Sequence, residues 1–148
     1  MNRFYPFGVL IFLGMIAFAV GINGPYFGVF LNIPSLIMVL GLPAALLFAT
    51  HSPREMRAAF RAAYRSEDAA ELRASISFFV AMQRYLLWSG FLATMLGVIV
   101  LLAVLGDETM IGAGAALALI TVLYSLILNL GIALPFRHAC EKRLARAN

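Results

Sequence analysis

The chain has 148 residues, of which 63% are hydrophobic and 12% charged, and its mean hydropathy is +0.93. A soluble domain of this length carries about twice that share of charge, so a soluble fold is excluded and the chain reads as an integral membrane protein. Its net charge of +4 comes from arginines that border apolar runs, which fits retention at the inner face of a membrane rather than nucleic-acid binding.

Four stretches free of Asp, Glu, Lys and Arg, at about 5–22, 34–51, 85–106 and 111–135, are long enough to cross a hydrocarbon core of roughly 30 Å. Arg3 just before the first, and the "AFA" at 17–19 within it, resemble a secretion signal with its cleavage site. Because the chain begins at Met1, the run is read as retained and as the first membrane helix. Residues 23–33, "NGPYFGVFLNI", join it to the second span through a Gly-Pro turn. Pro43, inside the second span, predicts a kink and a carbonyl left without its donor.

The central segment, 52–84, predicts a helical hairpin rather than a flexible linker. Ser52, Pro53 and Glu55 supply a cap, a first-turn proline and a capping-box acid. Met56, Phe60 and Tyr64 then form a narrow apolar stripe. Ser66, Glu67 and Asp68 signal a second start, and no Gly or Pro follows until Gly90. The second helix therefore runs into the third span, with Leu72, Ile76, Phe79 and Val80 on its inward face. "GDETM", 106–110, joins the third and fourth spans.

Every one of the eleven basic residues lies before the first span, in the central segment or in the tail. The positive-inside rule places both termini and the central segment in the cytoplasm. The fold expected is all-α: four transmembrane helices as two antiparallel hairpins, forming a single domain over 1–148, with the third helix extended into the cytoplasm.

Small residues recur at four-residue spacing as Ala17/Gly21, Gly41/Ala45/Ala49, Ser89/Ala93/Gly97 and Gly112/Ala116. In lipid such rows let helix backbones approach closely, so Gly41, Ala45, Ala93, Gly97 and Ala116 are the candidate packing positions, within a bundle or an oligomer.

No His, Cys or carboxylate falls inside a span. His51 and His138 sit at span ends, too few for a metal site, and the lone Cys140 excludes an internal disulfide. No nucleophile with a base, phosphate loop or carboxylate pair is present, so neither an enzyme nor a cofactor is expected. What remains is Thr94 and Thr121, each near mid-depth. Either hydroxyl can bond its own helix's i−4 carbonyl, or the two can line one hydrated seam. Such a seam passes an ion only when a carboxylate is supplied from elsewhere.

The stretches "FLNIPSLIMVLGLPAALL" at 30–47, "HSPREMRAAFRAAY" at 51–64 and "GFLATMLGVIVLLAVLGD" at 90–107 resemble the MotA/TolQ/ExbB proton-channel family, and most closely its motility-type (MotA-like) branch. The fourth-helix pattern is matched by Ala118, Leu119, Thr121, Leu123, Tyr124 and Pro135. Departures are Val122 at the position of a second threonine, Ser125 for a glycine, Ala93 for a glycine and "GLP" in the second helix. The central segment is much shorter than the rotor-pushing domain of flagellar stators, so no such domain is expected.

The resemblance implies an ion channel subunit, for protons or sodium, that couples ion flow to movement of a partner in a bacterial inner membrane. It implies a homo-oligomer, a pentamer, around a single-helix partner of the MotB/TolR/ExbD type that carries the membrane Asp. It also implies that Thr94 and Thr121, with Ser125, are pore-lining. The alternative is a structural membrane scaffold of the same architecture that conducts nothing.

Overall fold

The computed structural model describes residues 5–22, 30, 32–103 and 108–147. The Gly24-Pro25 turn, and residues 104–107 of the connection between the last two expected spans, lie outside the described residues. The elements are α1 (Tyr5–Ile22), α2 (Ile33–Thr50), α3 (Pro53–Arg65), α4 (Ala69–Ala103), α5 (Glu108–Leu128) and α6 (Leu134–Ala147). A π-helical turn, Asn129–Ala133, joins α5 to α6, so the backbone stays helical from 108 to 147. No strand occurs among the described residues.

Among the described residues three helices are long and apolar enough to cross a membrane: α2, α4, and the continuous helix over Gly114–Ala147. The apolar stretch of α1, Phe7–Ala19, is shorter. At 1.5 Å per residue the 35-residue α4 is about 52 Å long, well beyond the hydrocarbon thickness.

Local chemistry explains the helix starts. The Asn32 side chain accepts from Ser35 N at 2.9 Å, with Pro34 in the first turn of α2. Ser52 and Glu55 close a reciprocal capping box: Ser52 N donates to Glu55 Oε2 at 2.8 Å, and Glu55 N donates to Ser52 Oγ at 3.3 Å. Those bonds hold the Glu55 carboxyl below its ordinary range. Between α3 and α4, Ser66 Oγ donates to Glu71 Oε2 at 2.7 Å, and Ala70 N donates to Asp68 Oδ1 at 2.9 Å.

Two prolines act differently. Pro43 is buried inside α2 without interrupting it. Pro135 cannot give Gly131 O the N–H that an α-helix requires, and its ring crowds that carbonyl. The π turn lies immediately before it, with Leu134 N bonded to Asn129 O. The freed Gly131 O accepts instead from Tyr5 Oη at 2.7 Å. Tyr5 also sets its ring edge-on to Phe136, 5.5 Å between centroids, so one residue of α1 docks on the irregular turn.

The core lies at the basic end of the molecule. Leu47, Ala59, Ala63, Leu72, Phe78, Phe79, Phe136 and Cys140 are buried together. Phe60 meets Phe79 at 5.2 Å and Phe136 at 5.0 Å. On α3 the fully enclosed residues are Ala59, Ala62 and Ala63, while Phe60 is partly covered and Tyr64 half exposed. Arg143 of α6 ties the far end of α3 down, donating to Ser66 O at 3.1 Å and to Tyr64 O. Cys140 is fully buried within this cluster.

Candidate functional site

α4 and α5 pack antiparallel, and their contacts form a ladder of small and hydroxyl-bearing residues. A Cβ added at Gly114 would lie 3.0 Å from the Leu101 side chain, and one at Gly97 would lie 3.0 Å from the Ala118 backbone. One step further, Thr94 Oγ1 and Thr121 Oγ1 are 2.8 Å apart. At the next step a Cβ on Gly90 would come within 2.4 Å of Ser125 Cβ. Glycine is thus required at 90 for the backbones to approach this closely.

The approach brings polar groups together. Thr94 Oγ1 reaches its own helix at Gly90 O, 2.9 Å, and the facing helix at Ala118 O, 3.1 Å. Thr121 Oγ1 also reaches Ala118 O, at 2.7 Å. Two hydroxyls therefore face two carbonyls and each other. Two protons serve more acceptors than they can fill at once, so the bond pattern can reverse without moving a heavy atom. Ser125 Oγ donates across the seam to Leu86 O at 2.8 Å.

Of the residues expected to line a pore, Thr121 and Ser125 are enclosed within the subunit, 4% and 2% exposed, whereas Thr94 is partly open. The structure brings all three onto one seam. Thr94 bonds its own i−4 carbonyl, Gly90 O, and also meets the opposite hydroxyl.

The small-residue rows divide. Ser89, Ala93 and Gly97 are buried in the bundle. Gly41 and Ala45 are exposed, and nothing lies within 4 Å of a Cβ built on Gly41. The same emptiness surrounds Gly21 and Gly112, while Ala116 is partly covered. Ala93 and Gly97 therefore pack inside the subunit, and Gly41 and Ala45 look outward from it.

Asn129 is a further polar residue of the fourth apolar run, and what the structure adds is its burial. It follows Thr121 and Ser125 at four-residue steps, is 8% exposed, and its Oδ1 is buried with no hydrogen-bond partner. It also opens the π turn, a distortion frequent at functional sites. The signal in the sequence is Pro135, four residues past Gly131. Beyond it, Arg137 donates to Gln83 Oε1 at 3.1 Å and to Glu141 Oε1 at 2.7 Å.

Tyr124 ties the seam to α2. Its hydroxyl accepts from Asn32 N at 3.0 Å and donates to Phe30 O. Among the described residues no three His, Cys, Asp or Glu side chains converge on a metal position. The seam can donate, accept and reorient hydrogen bonds, but it holds no group able to carry a charge.

The model of the MotA/TolQ/ExbB proton channel family matches residues 32–148, which include both helices of the seam. The chain belongs to that family. No individual curated protein matches it.

Proposed function

We propose that this member of the MotA/TolQ/ExbB proton channel family is the channel subunit of a complex that couples proton flow to movement of a single-helix partner. Family membership points to an ion-channel subunit. The observation that carries the finer reading is the Thr94–Thr121 contact at 2.8 Å, a reversible hydroxyl pair in stretches of α4 and α5, 85–103 and 109–128, that contain no Asp, Glu, Lys, Arg or His. An isolated charge in hydrocarbon costs several kcal/mol or more, on the order of 3 at the least. The titrating carboxylate therefore comes from the partner's helix. Thr94, the more open of the two hydroxyls, meets that carboxylate or the ion, and Thr121 and Ser125 stand behind it.

In this reading α1 is the fourth span, and the basic end faces the cytoplasm of a bacterial cell by the positive-inside rule. The outward rows through Gly41 and Gly112 pack subunits into a homo-oligomer, a pentamer by family resemblance. The motif order favours the motility-type branch. The short α3–α4 link, with α3 only 13 residues long, leaves no room for a rotor-pushing domain.

A non-conducting scaffold is the second reading. It is favoured by the internal satisfaction of the Thr121 and Ser125 hydroxyls. Co-reconstitution with the partner in liposomes separates the two: proton flux above that of either component alone supports the channel, and its absence in a verified complex supports the scaffold.

A further inference from the structure

The basic end holds an open cavity of about 1140 Å³ between α1, the α3–α4 link and α6. Its walls differ in chemistry. Tyr5 and Pro135 form an apolar side, at the point where the charge-free run before Arg137 ends. Lys142, Arg143 and Arg146 form a cationic side, with His138 beside them. Glu67 is the one carboxylate among the described lining residues.

One of these cations is held in place and two are left unpaired among the described residues. The Arg143 guanidinium is held by two carbonyls of the α3 end, which fixes its position. Lys142 and Arg146 have no ion-pair partner among the described residues. The neighbouring Glu141 is engaged by Arg137 at 2.7 Å. Positions 135, 138, 142 and 146 fall on one face of α6, so the apolar and cationic walls are continuous.

We propose that this cavity binds an anionic phospholipid, with its phosphate among Lys142, Arg143 and Arg146 and its glycerol end against Tyr5 and Pro135. A soluble phosphate uses only the cationic wall, and a neutral lipid only the apolar one. A basic pocket beside membrane helices matches a ligand that carries both. The inference needs the basic end to meet a lipid surface and does not depend on ion conduction, so it stands or falls separately from the channel reading.

The test uses the full chain in a neutral detergent, titrated with short-chain phosphatidylglycerol, with phosphatidylcholine of the same chain length, and with inorganic phosphate. Binding is read by native mass spectrometry and by the shift in thermal midpoint. Phosphatidylglycerol is expected to bind at least about tenfold more tightly than phosphatidylcholine, and Lys142→Gln/Arg146→Gln to remove most of that preference. Arg54→Gln/Arg57→Gln, which removes two exposed cations of α3 outside the cavity, is expected to keep it. Equal loss in both double variants would reduce the effect to general surface charge and overturn the site. Equal binding of the two lipids would overturn it as well. Protection by inorganic phosphate matching that of phosphatidylglycerol would show that the lipid body plays no part, and would overturn the lipid assignment.

Discussion

The two ends of α4 are built on opposite rules. Near its start it buries Leu72, Phe78 and Phe79 against Phe136 and the alanines of α3, large side chains gathered where charged residues mark contact with water. Past Gly90 it buries Ala93 and Gly97 and meets Thr121, Ser125 and Ala118 across the seam. The first region is held by removing apolar surface from water. Lipid tails are as apolar as leucine, so the second must rely on close backbone approach and hydrogen bonds. One helix thus passes from a water-built core to a lipid-built one, and the polar groups available for function belong to the second.

The sharpest way to break this contrast is to delete a large residue from the first region. Phe79→Ala should cost about 3–5 kcal/mol, read as loss of folded protein in detergent–denaturant titrations. The second region should fail in the opposite sense, by addition. Gly90→Ala forces a Cβ to 2.4 Å from Ser125 and should cost about 1–3 kcal/mol or more. Pairing it with Ser125→Gly should recover much of that loss, whereas Gly14→Ala, with nothing within 4 Å, should be silent.

A smaller effect is expected at Tyr124→Phe, which removes the hydroxyl bridging Asn32 N and Phe30 O. The loss should be about 1 kcal/mol, read in the same titration. Smaller still is the pH dependence of the α3 cap. The bonds from Ser52 lower the Glu55 pKa from its ordinary 4.5, so its contribution is full above that value and fades as pH falls through the lowered one. Helix content compared between the native chain and Glu55→Gln should therefore differ near neutral pH and converge in acid. A difference that grows on acidification would contradict the capping account.

The sequence discloses whatever is decided within one or two helical turns. Ser52, Pro53 and Glu55 announce the start of α3 because cap, proline and acid act on the same few amides. The inward row Leu72 and Phe79 is legible from periodicity alone, since a helix that meets water must hide its apolar stripe. The seam is harder to read. Thr94 and Thr121 are evident as the polar residues of apolar runs, but their pairing depends on the register of two helices. So does the need for glycine opposite Ser125. Nothing local tells Gly41, which faces outward, from Gly97, which packs on Ala118. The π turn depends on Pro135 together with Tyr5, 126 residues from its partner Gly131, and neither reveals it alone. Asn129 is visible in the sequence as a polar residue of an apolar run, but its unpaired Oδ1 and its place at the π turn are not.

The central claim is that the hydroxyl pair of the seam serves an ion path, and Thr121→Val tests it most directly. Valine keeps the shape of threonine and removes only the oxygen that bonds Thr94 Oγ1 and Ala118 O, at a stability cost of about 1 kcal/mol. The measurement is proton flux into liposomes that contain the variant with the proposed single-helix partner, after assembly has been verified. Abolished flux in an intact complex is the predicted result, and flux equal to that of the native chain would contradict the account.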